Sequence, residues 1–296
     1  MTARLTIKKN LFMLMGAFLL ILAFSFFAGT DLVYAEGTVI GQAAAGEGGS
    51  LSGNVAGDQS GHEVAVSNYR GGRWKYVFRA KDPATAKKIA QFMKDACANN
   101  HIGYDMKDRM TLYYVAEANN WDLTTITTNC ETTCVDLVSV CLNAAGVEAP
   151  YGWSSKAVYG DLMPTGLFDC IAGSDYDASM ALPGDILCAP DMPHTAMIVE
   201  SLNPFYFDVN YQDSKGNSQT TKVKDGDEIV LNPNNGKNVE KVTIETTTDL
   251  EEYEPSREGS KFKGWQKNEE ENTFSAKYQS EMAAISTGNE RKPIGK

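Results

Sequence analysis

The chain has 296 residues, 43% of them hydrophobic and 22% charged, which is enough for one core of about 150 residues and a smaller module. A short disulfide-stapled scaffold is therefore excluded. The 27 Lys and Arg against 38 Asp and Glu leave a net charge of −11. No stretch gathers the cations into a stripe that could follow a phosphate backbone, so nucleic acid is not an expected partner.

Arg4, Lys8 and Lys9 precede an apolar run from Leu11 to Ala28, and Val33-Tyr34-Ala35 ends in the small residue a signal peptidase requires. This layout predicts a secretory signal over residues 1–35, with an uncleaved membrane anchor as the alternative. Residues 36–60 are dominated by Gly, Ala and Ser and read as a flexible linker, with too few large apolar side chains to offset the entropy of ordering a backbone. The main domain is expected over 61–214. Within it, the alternation in 73–79 predicts a strand. Asp82-Pro83 supplies an N-cap and a first-turn proline for a helix over 83–98, and a second helix is expected over 107–118.

Cysteines stand at 97, 130, 134, 141, 170 and 188, a number that in an exported chain first suggests three bridges. Cys134 and Cys141 share a face if the segment is helical, and one of the pair is wanted as a free thiol. With three histidines and no paired Cys-x-x-Cys knuckle, no metal or other cofactor is implied.

The segment 129–146, Asn-Cys-Glu-Thr-Thr-Cys-Val-Asp-Leu-Val-Ser-Val-Cys-Leu-Asn-Ala-Ala-Gly, predicts a helix capped at Thr132 or Thr133 and closed by Gly146. Cys134 then falls in the first turn, where unpaired amides and the helix dipole stabilise a thiolate, so a depressed pKa is expected. Cys130 and Cys141 read as small buried hydrophobes. Of the imidazoles, His62 lies at the linker's edge and His101 at a helix end. His194 opens the second strand of a hairpin after Leu182-Pro183-Gly184-Asp185, a position from which a base can face a nucleophile.

These residues resemble the NlpC-type cell-wall cysteine peptidases. Thr133-Cys134-Val135-Asp136-Leu137-Val138 is similar to the family's nucleophile helix. Pro183-Gly184-Asp185 matches its strand start, and His194-Thr195-Ala196-Met197-Ile198 matches its histidine strand. Thr133, Val135 and Asp136 stand where the family commonly has Asp, Ser and Gly or Ala. The resemblance implies an α+β, papain-like fold. It implies a secreted, bacterial extracellular or wall-associated hydrolase acting on amide bonds of peptidoglycan stem peptides. Cys134 is then the nucleophile, His194 the base, and Tyr104 an aromatic lining the cleft. A monomer is expected.

The third catalytic member is sought on the strand after His194. Glu200, six residues along the same strand, is roughly 20 Å away and is excluded. Asp208 and Asn210 share a face of the next apolar strand; Asp208 is preferred, with Asn210 as the alternative. From 215 to 280 strands and tight turns dominate. Residues 255–265 and 274–278 there resemble the Listeria-Bacteroides surface repeat, a small β-grasp-like unit, which implies a spacer or cell-surface contact with Trp265 in its core. Residues 281–296 form a polar tail. The rival reading is a non-catalytic wall-binding or surface assembly protein on the same fold.

Overall fold

The computed structural model describes residues 34–45, 63–191, 193–268 and 271–280. Residues 1–33 of the expected signal, His62, most of the expected linker and the tail 281–296 lie outside the described residues.

The fold is α+β and rich in sheet. The strands are β1 (Tyr34–Ala43), β2 (Val64–Arg70), β3 (Tyr76–Ala80), β6 (Phe168–Ala172), β7 (Ile186–Ala189) and β8 (His194–Glu200), ordered β2-β1-β8-β7-β3-β6 in one antiparallel sheet. Two further short strands, β4 (Ile102–Tyr104) and β5 (Cys130–Thr132), pair in parallel.

Helix α1 (Pro83–Ala98) starts as its sequence predicts, with the Asp82 side chain accepting from the Ala84 and Thr85 N–H groups. It buries Ala86, Ile89, Ala90, Met93 and Ala96, an i, i+3, i+4 stripe laid against the sheet. Helix α2 covers Thr111–Ala118, starting later than the sequence suggests because Asp105 and Asp108 cap tight turns ahead of it. Helix α3 (Cys134–Ala144) packs on α1, β8 and β1, and Gly146 at φ +85° ends it. A short helix α4 (Val158–Leu162) follows. The opposite face of the sheet carries a smaller core of Ile40, Tyr69, Trp74, Val77, Leu187, Ala196 and Ile198.

The expected linker is corrected at its start. Residues up to Ala43 form β1, inserted between β2 and β8, with Thr38, Ile40 and Ala43 buried. The small side chains that suggested a linker answer a packing need, because a Cβ on Gly41 would lie 2.4 Å from Met93 Cγ of α1.

The boundary at 214 is also corrected. Strand β9 (Tyr206–Gln212), which carries Asp208 and Asn210, pairs with β10 (Ser218–Lys224) and β13 (Thr248–Asp249) rather than with the main sheet. Beside it, β11 (Glu228–Asn232), β12 (Glu240–Thr243), β14 (Ser260–Asn268) and β15 (Thr273–Ser280) form a second sheet around buried Trp265 and Phe274. The Lys87–Asp225 ion pair (2.8 Å) ties this C-terminal β module to α1.

Pro183-Gly184-Asp185 explains itself in the packing. Gly184 sits at φ +90°, and a Cβ there would lie 2.4 Å from the Ala86 carbonyl oxygen. Asp185 is buried and accepts from Arg79 Nε (2.8 Å) and Nη2 (2.7 Å), Tyr176 Oη (2.7 Å) and Leu182 N (2.9 Å). Asp185→Ala is expected to lower the unfolding free energy by about 3–5 kcal/mol, the cost of stranding a buried partner. Gly184→Ala should lose at least about 1–3 kcal/mol from backbone strain, with the clash in addition. Urea denaturation of both variants against wild type checks this.

Candidate functional site

Cys134 is the first residue of α3, after Thr133 in extended N-cap conformation (φ −121°, ψ 172°). Its thiol is partly buried and faces the backbone N–H groups of Thr195 and Val135, so the helix start meets the start of β8. Burial dominates over these donors and pushes the thiol pKa up, with Asp136 adding to the rise. The expected depressed pKa is therefore corrected. The first turn also holds a carboxylate, whose pKa burial likewise pushes up against the lowering effect of Thr133, Arg109 and the Trp153 N–H. Asp136, two residues on, is buried and accepts from Thr133 Oγ1 and the Trp153 N–H (2.9 Å), and it pairs with Arg109 Nε (3.0 Å). Arg109 also donates to the Trp153 carbonyl (2.6 Å), locking the loop after α3 over the helix start.

His194 opens β8 and holds its ring on the sheet face of Ala196 and Ile198. There it stacks on Trp74 (centroids 5.9 Å apart, planes at 27°) and meets Gln42 Oε1 through Nε2 at 2.8 Å. Gln42 Nε2 donates to Ser67 Oγ (3.0 Å), and in this orientation of the amide its oxygen faces the ring. A carbonyl oxygen accepts only, so Nε2 carries the proton and Nδ1 keeps the lone pair. Burial, and then the Arg73 guanidinium, lower the imidazole pKa from 6.5 to about 4.

Cys134 and His194 thus flank the first peptide of β8 from opposite sides. Thr195, paired with Cys188, shares the thiol's side, and no hydrogen bond between thiol and imidazole is present among the described residues.

Asp208 is not the imidazole's partner. It lies in the C-terminal module, where Lys222 Nζ bonds it at 2.9 Å, and Asn210 accepts from Thr220 Oγ1 at 2.8 Å. The polar group that reaches His194 comes from β1, 152 residues upstream. Its signal in the sequence was the β-branched run Thr38-Val39-Ile40 leading to Gln42. Tyr104 is brought beside Cys134, and burial followed by the neighbouring thiol pushes its phenol up, but it is only 4% exposed. His101 stands apart, bonded through Nδ1 to Asn129 (2.7 Å). All six cysteines are free thiols.

Near the helix start, Tyr113, Tyr114, Trp121 and Tyr151 form an aromatic shelf, with Tyr114 and Tyr151 more than half exposed. Tyr151 stands two residues before Trp153, whose backbone clamps Asp136.

The His194 shift has a thermodynamic consequence. Because the folded pKa of about 4 lies below the unfolded value of 6.5, the unfolded chain binds more protons between them. The contribution of His194 is thus fully present above pH 6.5 and lost as pH falls toward 4. NMR titration of the imidazole should give a midpoint near 4, and His194→Gln should flatten the stability profile in that window.

No curated protein and no solved structure matches the chain. A family model described as an endolysin-like domain matches residues 40–203, beginning inside β1 and ending just after β8. With more than half its length matched across the sheet, α1, α3, Cys134 and His194, the chain belongs to the endolysin-like domain family, whose description is of a cell-wall lytic type.

Proposed function

We propose that the protein is an exported cysteine hydrolase of papain-like arrangement that cleaves amide bonds in bacterial peptidoglycan. The observation that carries this reading is the meeting of a helix-initial thiol with the strand that starts at His194, whose Nε2 meets Gln42 and whose Nδ1 keeps its lone pair. Gln42 holds the imidazole in its resting pose, and the turn toward Cys134 releases that bond. In the reaction His194 turns toward Cys134 and Nδ1 accepts the thiol proton as Sγ attacks the substrate carbonyl. Backbone N–H groups at the start of α3 are the natural donors to the developing oxyanion. The imidazolium returns its proton to the leaving amine, and water then hydrolyses the thioester with the same base. Since thiol and imidazole both rest neutral, the base must act in step with attack, in place of a stored thiolate–imidazolium pair. The C-terminal β module, similar to bacterial surface repeats, serves as a wall-contact spacer.

A second reading is favoured by one observation, the separation of thiol and imidazole across β8: a non-catalytic wall-binding protein. The two readings part in a single assay. Mature protein incubated with purified peptidoglycan should release new amino termini. Cys134→Ala and His194→Ala should each lower the rate by about 10²–10⁴-fold, non-additively because they act as a unit. Gln42→Leu should lower it less, and Asp208→Ala should leave it unchanged. Equal release by wild type and Cys134→Ala, with both bound to the wall, would establish the binding protein instead.

A further inference from the structure

Helix α2 and the loop after α3 bring four aromatic side chains together: Tyr113 and Tyr114 from the helix, Trp121 from the turn that follows it, and Tyr151 from the loop. We propose that this shelf is a saccharide subsite, on which an uncharged hexosamine unit of the wall glycan lies with its C–H face against the rings of Tyr114 and Tyr151. The proposal rests on the wall-directed reading of the domain and does not require Cys134 to react.

The first argument is that the backbone is strained to build the shelf. Helix α2 ends in a Schellman-type turn, with Asn120 left-handed at φ +53° and the Trp121 N–H returning to the Ala116 carbonyl oxygen at 2.7 Å. That turn accounts for Asn120. It does not account for Trp121, a bulky residue itself held at φ +62°, where such side chains are rarely found. The result is an indole set edge-on to Tyr113, with centroids 5.2 Å apart and planes at 80°. Tyr151 meets Tyr113 at the same separation, while Tyr114 and Tyr151 stay 53% and 57% exposed. Each ring is steadied by its neighbours, so less ordering entropy is left for a ligand to offset.

Chemistry selects the ligand. The neighbouring centroids are 5.2 to 6.1 Å apart, so the rings touch one another and leave no gap in which a cation could be caged. They form a platform. Aromatic faces are electron-rich and the C–H bonds on one side of a pyranose carry slight positive charge, so a sugar gains by stacking there. The phenol hydroxyls of Tyr113, Tyr114 and Tyr151 and the Trp121 Nε1–H make no hydrogen bond among the described residues, and these donors are free for sugar oxygens. Glu117 and Glu148 are exposed, and both add to the burial that raises the Tyr113 phenol pKa. Their charge disfavours an anionic ligand, whereas a sugar hydroxyl can donate to them. Arg109, four residues before Tyr113, bonds Asp136 and the Trp153 carbonyl. A sugar stacked on the shelf is therefore held by the same clamp as the turn that carries Cys134.

The test titrates the full wild-type chain with tetra-N-acetylchitotetraose, a soluble uncharged hexosamine chain, by calorimetry and saturation-transfer NMR. Choline chloride and inorganic phosphate serve as the cationic and anionic probes. The tetrasaccharide is expected to bind with an affinity that changes less than about twofold on raising salt, its ring C–H protons taking up saturation from the aromatic region, and neither small ion should displace it. Tyr114→Ala and Tyr151→Ala should each weaken it about tenfold or more. Tyr114→Phe and Tyr151→Phe, which keep the rings, should weaken it less, and Tyr206→Ala, at an exposed position of the C-terminal module, should leave it unchanged. The tryptophan fluorescence change on binding should vanish in Trp121→Phe while binding persists. Urea midpoints show that each variant is folded. No binding of the tetrasaccharide, undiminished binding by folded alanine variants, a fluorescence change kept in Trp121→Phe, or displacement by choline or phosphate would each overturn the proposal. If the tetrasaccharide binds while wild-type protein releases no amino termini from peptidoglycan, the shelf stands and the hydrolase reading fails; release without tetrasaccharide binding has the reverse meaning.

Discussion

Four donors converge on the carboxylate of Asp185, and the geometry of the candidate site follows from that convergence. The side chain is 1% exposed, a position where an ionised carboxylate is tolerated only when charge and lone pairs are met. Arg79 reaches it from β3, Tyr176 and Leu182 from the segment before β7. The same residue's carbonyl oxygen accepts from Ile198 N (2.9 Å), and Gly184 N donates to the Ile198 carbonyl (2.8 Å). One residue therefore fastens β3, a loop and the β7–β8 hairpin. The register that results pairs Cys188 with Thr195 and Ala189 with His194. A slip of one residue would exchange the faces of β8 and put the imidazole where Thr195 now meets Cys134.

The helix start shows how two nearby anionic groups are ranked. A thiolate and a carboxylate both gain from the first turn of α3. Asp136 takes the position with the better partners, being bonded by Thr133, Trp153 and Arg109, and its charge adds to the burial that keeps the Cys134 thiol protonated. Arg109 offsets that charge and at the same time anchors the Trp153 loop. The residues that departed from the resembled family at 133 and 136 thus form a local structure of their own, in which the acid is a clamp.

Much of the layout was readable because local chemistry and tertiary packing agreed. Asp82-Pro83 announced α1, the spacing from Thr133 to Gly146 announced α3, and the hairpin around Pro183-Gly184-Asp185 was visible as a turn between two apolar strands. The failures share a cause, since each depended on what lay across space. Gly41 looks like linker composition until Met93 is placed against it. Asp208 sits on a strand of suitable texture, but the choice of sheet for that strand is made by β10. Period-two alternation told that His194 and Ala196 share a face, not which face the helices cover. Gln42 was beyond reach for the same reason, its role arising from a strand pairing between distant parts of the chain.

That distant pairing orders events in time. Strand β1 leaves the ribosome early and can form a hairpin with β2, but its other edge stays open until β8 has been made, some 150 residues later. Loop closure over such a span is slow relative to local pairing. The amide that sets the imidazole tautomer therefore meets it last, when the sheet closes. A nascent chain that ends before β8 carries Gln42 and Cys134 with no imidazole for the amide to meet. The candidate site is thus assembled by the two ends of the matched domain, and neither end has the other as its sheet partner before β8 is made.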